Sequence, residues 1–589
     1  MSPSRSGFSI LRVLAFFAGA ALIVFDLLID RFSAGGEAGF GLLQYLLLAF
    51  GLLVCAAAFY RRSWKEGFTR VGGKIAAVFT KLASLLAQAQ QHWYLFEFLA
   101  LLAVMYAYFA SAAARPDPAG YAGLFQLEID TLLAHRFSLP QTLPYYGPGG
   151  IPAAYPFLGL YLGALVQRFL QVSAFDYLRF APAAWTTGAL VAGYFFFKKV
   201  TGERVKAVSA VLLMALTFEI YEKHATAAGI VRAPALLFMM LALTGLWGIT
   251  RTQKTSFWAI LLTGLAAALT AMSHLSYLTF LVISGLTLLL CARETNLKTR
   301  LLRLAGVGLF GALFSSPWWG VVLSRYGFAT FLNAFNSHGT LELVGKLAAG
   351  NLKSLLLALF AGWGEIALIG LTLLGLAWCL VRRRALYLCW FVLVFLLLGD
   401  NTRFLILIGA LISAELIVEV LQGNPDPVGE RTIGQKAKTA AALLLLLGFL
   451  WARFQFTVRQ APQALDSDLV EAAGWLRENT PPQARYLFFS GSHDKAEWIP
   501  WLSARVPAVG HWGAEWNGDY DLQYARWKEL SDCADLGAAG CLTAFDEENS
   551  VDYEYILSDS SAEGTSLLQE GLKYEKVFEN KGYFVFKVN

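Results

Sequence analysis

Apolar residues fall along this chain in long runs parted by short polar segments. Runs close to the roughly 20 residues that cross a bilayer as a helix occupy 8–29, 39–60, 93–114, 179–198, 205–222, 228–249, 256–272, 274–291, 302–323, 364–381, 385–399, 404–421 and 438–455. The pattern predicts thirteen membrane spans. The first run exceeds the apolar core of a cleavable leader, and a second span follows without a small-residue cleavage site, so it is expected to stay as a membrane helix. Between spans two and three, Val71, Ile75, Val78, Phe79, Leu82 and Leu85 recur at near-helical spacing among basic residues. That spacing predicts an amphipathic helix on the membrane lipids of the anionic leaflet. After the last run the pattern changes. The stretch Asp468 to Glu478 carries apolar Leu469, Ala472, Ala473, Trp475 and Leu476 and is stopped by Thr480-Pro481-Pro482, while Tyr486 to Phe489 and Tyr583 to Phe586 read as strands. A small α/β domain is expected there.

Composition fixes the class. With 57% hydrophobic and 15% charged residues and a mean hydropathy of +0.53, the chain is too apolar for a soluble protein of 589 residues. Its net charge of +5 divides unevenly: residues 1–455 carry 36 Lys+Arg against 20 Asp+Glu, and residues 456–589 carry 11 against 22. An acidic tail excludes nucleic acid as its partner, since phosphates require a basic face. No P-loop pattern is present, nor an internal repeat of the kind that builds secondary transporters.

Lysines and arginines cluster in the short loops at 61–81, 198–206, 251–254, 293–303, 382–384 and 431–438. Placing all of them in the cytoplasm puts the N-terminus inside and the tail outside the plasma (inner) membrane. The apolar stretch 154–172 is not counted as a span, because crossing there would move the Lys198 to Lys206 cluster outside; it is expected to lie as a helix at the outer interface. Three regions result: an N-terminal two-helix hairpin with its cytoplasmic linker (1–92), a transmembrane module (93–455) with a long outer loop at 115–153, and the extracytoplasmic domain (456–589). The tail's two cysteines, Cys533 and Cys541, are either a disulfide closing a small loop in an oxidising compartment or two small unpaired residues.

Candidate chemistry gathers on the outer side. Glu128 and Asp130 lie two apart in the long loop, so in an extended segment both carboxylates would face one way and share a cation or divide base and orienting roles; two solvated acids are the plainer alternative. His135 follows nearby. Glu219 and Glu222 are expected on one helical face beside His224, where the span 205–222 reaches the surface. Outer cations are sparse, which singles out Arg232 and Arg403: a guanidinium at a membrane helix end needs an anionic partner, either phosphate or an acid such as Asp400. His274 and Glu365 stand at outer helix ends as secondary candidates. In the tail, Trp498, Trp501, Arg505, Trp512, Glu515 and Trp516 crowd into a short stretch, suiting either a sugar-binding face or a Trp-rich core.

Together, an acid-x-acid motif in the first long outer loop, an interfacial helix after the stretch Pro144 to Pro152, a second outer acidic cluster and a C-terminal extracytoplasmic domain resemble the GT-C superfamily of polyprenol-dependent membrane glycosyltransferases. The resemblance covers about 93–455. It implies a GT-C-like polytopic α-helical fold and transfer of a sugar from a polyprenyl-linked donor to a glycan, lipid or protein acceptor. Glu128 and Asp130 would then be catalytic, with Asp130 favoured, and Arg403 and Arg232 would bind the donor phosphate. A required metal is not expected; the alternative is Mg²⁺ or Mn²⁺ held by Glu128, Asp130, Glu219 and Glu222. The tail lacks the Trp-Trp-Asp-Tyr-Gly motif of oligosaccharyltransferases, its nearest approach being Trp516-Asn517-Gly518-Asp519-Tyr520, which disfavours asparagine glycosylation. A transporter or flippase of lipid-linked glycans, or a scaffold with a sugar-binding domain, would share the same gross pattern.

Overall fold

The computed structural model describes residues 93–147, 149–337, 366–398, 401–422, 464–536, 540–563 and 573–589, with isolated positions at 448–458, 565 and 568. The expected hairpin and amphipathic linker of 1–92, Glu365 and most of the last expected span lie outside the described residues.

The described helical bundle begins with α1 (Trp93–Ala113). The long loop that follows holds α2 (Gly123–Ala134), the two-residue strands β1 (Thr142–Leu143) and β2 (Ile151–Pro152), and α3 (Leu158–Leu170). Next come α4 (Ala174–Thr201), α5 (Arg204–Ala215), α6 (Gly229–Arg251), α7 (Phe257–Ala271), α8 (Leu275–Cys291), α9 (Leu297–Tyr326), α10 (Ala329–Asn336), α11 (Ile366–Val381), α12 (Ala385–Leu398) and α13 (Thr402–Gln422). Among the described residues, α4, α6 and α9 are long and apolar enough to cross a membrane alone, and the other apolar helices are shorter. The 13 residues of α3 rise about 20 Å, less than a hydrocarbon core of about 30 Å. Exposed Phe195, Leu241, Trp258, Val282, Leu290 and Leu309 give the bundle an apolar exterior suited to lipid.

One expected helix is broken. The apolar run over 205–222 predicts an uninterrupted helix, but α5 stops at Ala215; a short turn at Phe218–Ile220, opened by the Thr217 hydroxyl accepting from the Ile220 N–H, leads into a π-helical turn at Tyr221–Ala225. Apolarity carries no mark of such a break.

The tail is an α/β domain. Its elements are α14 (Ser467–Asn479), β3 (Arg485–Phe489), α15 (His493–Ser503), β4 (Val506–Pro507), α16 (Tyr520–Leu536), α17 (Cys541–Asn549), β5 (Tyr555–Asp559), β6 (Tyr574–Glu579) and β7 (Tyr583–Val588). The sheet order is β4-β3-β5-β7-β6, with β3 parallel to β4 and β5 and the remaining pairs antiparallel. Alternation along β3 divides its side chains: Leu487 and Phe489 join Leu530, Phe545 and Ile556 on one face, while Tyr486 and Phe488 face α14 and α15 on the other. A disulfide joins Cys533 at the end of α16 to Cys541 at the start of α17.

That second face of the sheet positions the site. Its cluster continues through Trp498 and Ile499 of α15 into Phe125, Ile129 and Leu132 of α2, Leu160 of α3, Tyr177 and Leu178 at the start of α4, and Ile230 and Val231 at the start of α6. The tail and the long loop therefore cap the same end of the bundle. Successive helices reach that end alternately, and the basic clusters Lys198 to Lys206, Arg293 to Arg303 and Arg382 to Arg384 fall at the ends turned away from the tail. There Lys206 bonds both Glu203 (2.9 Å) and buried Glu415 (3.0 Å), and Arg382 pairs with Glu419 (2.7 Å).

Candidate active site

Where the tail meets the bundle lies a cavity of about 640 Å³. Arg232 on the first turn of α6, His274 capping α8, and Asn401 and Arg403 at the start of α13 line the bundle side; His493, Glu497, His511, Trp512, Glu515, Trp516 and Tyr520 line the tail side; Tyr121 and Tyr155 of the long loop lie between. The two walls differ in charge, cationic below and acidic and aromatic above.

Arg232 donates from Nη2 to the Tyr121 hydroxyl (2.6 Å), and its guanidinium stands 5.3 Å from that ring. Its buried Nε and Nη1 have no hydrogen-bond partner among the described residues. Arg403 donates to Asn401 Oδ1 (2.5 Å), lies over the Tyr277 and Phe404 rings, and likewise keeps a buried Nε without a partner. Unsatisfied guanidinium donors in low dielectric are costly, so an anion entering the cavity meets groups already desolvated and in need of acceptors.

The acid-x-acid pair departs from the extended arrangement expected of it. Both residues sit on α2, where positions two apart point to different sides. Glu128 is buried, makes no hydrogen bond to a described residue, and has its carboxyl pushed up to about 8 by burial and by nearby Glu515. Asp130 is exposed, and both its oxygens are engaged: Gln126 Nε2 donates to Oδ1 (2.7 Å) and the Trp501 indole N–H to Oδ2 (2.8 Å). Neither residue is among those lining the cavity.

The second acidic cluster falls on the broken helix, where Glu219 and Glu222 stay within electrostatic reach of each other and of Lys223. Glu222 pairs with neighbouring Lys223 (3.3 Å), whereas Glu219 faces Lys223 and Arg403. His224 is fully buried; its Nδ1–H donates to the Ile220 carbonyl (2.9 Å), so Nε2 is left to accept from the Tyr277 hydroxyl. It is a packing histidine. Among the described residues no group of three or more His, Cys, Asp or Glu side chains is gathered as metal ligands.

The tail residues expected to bind sugar divide in two. Trp512, Glu515 and Trp516 line the cavity; Trp512 packs on Tyr121 (4.8 Å between rings) and His493 (4.4 Å), and Trp516 on Tyr155 (6.1 Å). Trp498, Trp501 and Arg505 do not line it. Trp498 is fully buried between tail and loop, its indole N–H donating to the Gly120 carbonyl (2.8 Å). Buried Arg505 donates to the carbonyls of Arg477 (2.6 Å), Thr480 (2.5 Å) and Ala504 (3.0 Å) and to the Thr480 hydroxyl, tying the end of α14 to the end of α15. An arginine spent on carbonyls cannot position a substrate. His135 is exposed at the end of α2, bonded to the Thr131 carbonyl, away from the cavity.

Sequence reasoning missed Tyr121, Tyr155, His493, His511 and Tyr520. The chain has only 7 histidines, and two of them fall in the tail. Their Nε2 atoms are 2.9 Å apart, so one ring donates to the other; that scarcity was the available signal. Glu497, next to Trp498, is a further residue that sequence reasoning missed. Its carboxylate accepts from the backbone N–H groups of Gly123 (2.5 Å) and Leu124 (2.7 Å), capping α2 from the tail. Gly123 has no alternative there, since a Cβ would come within 2.5 Å of the Glu497 carbonyl oxygen. Burial raises Glu497 to about 8 against the pull of these N–H bonds.

Against the bundle, α7, α8 and α9 enclose a second, apolar hollow of about 690 Å³ that shares Leu275, Phe328 and Phe331 with the first.

No protein-family model matches the chain, and no curated protein matches it in sequence. Solved structures do match in fold. The archaeal oligosaccharyltransferase AglB from Archaeoglobus fulgidus, in complex with an inhibitory peptide and a dolichol-phosphate, superposes with a TM-score of 0.53 at 15% identity over 80% of this chain and 70% of its own. An Archaeoglobus fulgidus oligosaccharyltransferase tethered with an acceptor peptide containing the NVT sequon gives 0.51 at 15% identity over 83% of this chain and 74% of its own. The chain has a GT-C fold. A mostly helical chain with a C-terminal sheet domain, as read from the sequence, is borne out in this gross form.

Proposed function

We propose that this protein is a membrane glycosyltransferase that moves a sugar from a polyprenyl phosphate or diphosphate to an acceptor at the outer face. The observation that carries the reading is the cavity itself: two arginines, with buried nitrogens that bond no described residue, stand where an apolar hollow among the membrane helices meets a polar chamber under the tail. A polyprenyl-linked sugar has that sequence of chemistry, with hydrocarbon, phosphate and hydroxyl-rich ring in order. The hydrocarbon would lie along α7, α8 and α9, and Arg232 and Arg403 would hold the phosphate and stabilise it as it leaves. The sugar would sit against Tyr121, Trp512 and Trp516, whose ring faces suit its apolar side. One Archaeoglobus fulgidus structure holds a dolichol-phosphate and an inhibitory peptide and another a tethered acceptor peptide, which lends support to a lipid-linked donor and a second substrate here.

In this reading thirteen spans place the N-terminus inside and the tail outside, with the cationic helix ends in the cytoplasm. Asp130, bound by Trp501, holds α2 to the tail and so fixes the loop over the chamber; Glu128 lies beneath it as a buried acid. Sugar and acceptor are identified by mass spectrometry of the lipid-linked glycans that accumulate when the gene is deleted. Accumulation of one polyprenyl-linked sugar supports transfer. Unchanged lipid-linked glycans, or purified protein that carries such lipids across vesicles without making a glycosidic bond, would favour the transporter reading.

A further inference from the structure

We infer that Tyr121, near the start of the long outer loop, completes the donor-phosphate site: it fixes Arg232 in place and gives its own hydroxyl hydrogen to the same phosphate. The inference rests on the transfer reading above and deepens it by adding a neutral phosphate ligand to the two arginines.

The backbone around Tyr121 is pinned to bundle and tail alike. Just before it, the Ala119 carbonyl accepts from the Ala227 N–H (2.8 Å) at the approach to α6, and the Gly120 carbonyl from the Trp498 indole (2.8 Å) of α15. Gly120 takes φ +75°, with Thr226 Oγ1 2.9 Å from where a Cβ would stand, so a side chain there would be strained and would clash. Just after it, the N–H groups of Gly123 and Leu124 are held by Glu497. The ring is fixed as well: Trp512 packs on it at 4.8 Å, and His493 meets it edge-on at 6.4 Å. A tyrosine anchored before, behind and on its ring is a rigid mount in a long loop.

On this mount rests Arg232. Its Nη2 donates to the Tyr121 hydroxyl oxygen at 2.6 Å and its guanidinium carbon stands 5.3 Å from the ring centre, while Nε and Nη1 bond no described residue. A long side chain loses rotamer freedom when it binds; the tyrosine removes part of that freedom beforehand and leaves two nitrogens for an anion. The hydroxyl itself is half used. It can donate once and accept twice, it accepts from Arg232, and among the described residues no acceptor takes its hydrogen. Accepting from a cation polarises the phenol and makes it the stronger donor. Tyr121, Arg232 and Arg403 all line the chamber. A phosphate bound to the free nitrogens of Arg232 would therefore meet the phenolic hydrogen beside them. As the bond from the anomeric carbon to the phosphate oxygen breaks, the electron pair stays on that oxygen, and the phenol stabilises the added charge by a hydrogen bond without losing its proton.

The test uses full-length protein in vesicles, with polyprenyl phosphate as the binding probe and the lipid-linked donor for kinetics. Tyr121→Phe keeps the ring against Trp512 and Arg232 and removes only the hydroxyl. It is expected to weaken polyprenyl-phosphate binding and to raise the donor KM by about tenfold, with acceptor KM and thermal transition little changed. In an Arg232→Ala background the same substitution is expected to cost much less, because the hydroxyl then has no guanidinium to hold or to polarise it. Undiminished polyprenyl-phosphate binding in Tyr121→Phe, or equal losses with and without Arg232, would overturn the proposal while leaving the transfer reading intact. A collapsed thermal transition in Tyr121→Phe would overturn it too, since the hydroxyl would then be a structural group. Wild-type protein that binds polyprenyl phosphate, with the Tyr121→Phe loss as expected, but forms no glycosidic bond would instead remove the transfer reading and leave the phosphate site standing.

Discussion

Among the described residues, Arg232 donates to Tyr121 and keeps two buried nitrogens without a partner, and Arg403 donates to Asn401 and keeps one. Replacing either with alanine is expected to raise the donor KM at least tenfold, and Arg232→Lys to restore little of it, because an ammonium cannot reproduce the planar fork. Steady-state kinetics with varied donor checks both. Glu128 makes a stability prediction. Its proton is retained in the folded protein to about pH 8 but lost from the unfolded chain near 4.5. The stability it contributes is therefore complete below the lower value and vanishes as pH rises through the upper, at up to about 1.4 kcal/mol per pH unit. Between pH 5 and 8 the wild-type melting temperature should fall relative to Glu128→Gln; parallel curves would contradict the burial. What the sequence concealed at this scale is burial decided by remote partners. Trp498 and Arg505 looked like substrate ligands because nothing local says that Gly120, 378 positions away, or Thr480, 25 away, will satisfy them.

At the scale of elements, α14 was legible because its ends are written in the chain: Asp466 caps the Leu469 N–H (2.7 Å) and Thr480-Pro481 stops it. The helix α2 was readable too, with Phe125, Ile129 and Leu132 at helical spacing, but its polar neighbours led to an extended reading. Its start is completed from outside by Glu497, a device no local pattern shows. Removing that cap in Glu497→Ala is expected to cost about 1–2 kcal/mol and to lower the thermal transition of the loop–tail unit. Trp501→Phe, which deletes the bond to Asp130 while keeping an aromatic ring beside Phe175, should cost about 1 kcal/mol. Thermal melts of the purified variants measure both, and unchanged midpoints would show that the tail does not hold α2.

Over the whole molecule, charge segregates along one axis: cationic helix ends at one pole, and at the other the acidic tail. Composition alone reveals this division, because 11 Lys+Arg against 22 Asp+Glu in the last 134 residues is a property of sums and needs no contacts. The gross fold was legible for the same reason, since apolar run lengths and the change of pattern after 455 survive any error in individual helices. Topology follows as a prediction. A cysteine at Lys199 should react with a membrane-impermeant thiol reagent only from the cytoplasmic side, and one at exposed Asn517 only from outside. Labelling both from one side would contradict the placement of the chamber. The most direct test of the central claim is reconstitution of the purified protein with a labelled polyprenyl-phosphate sugar and a mixture of candidate acceptors, read by mass spectrometry for a new glycosidic bond. Label moving from lipid to acceptor in the wild type, and abolished in an Arg232→Ala/Arg403→Ala double variant, is the expected result. Label that stays on the lipid, or transfer that persists undiminished without the two arginines, would contradict the account.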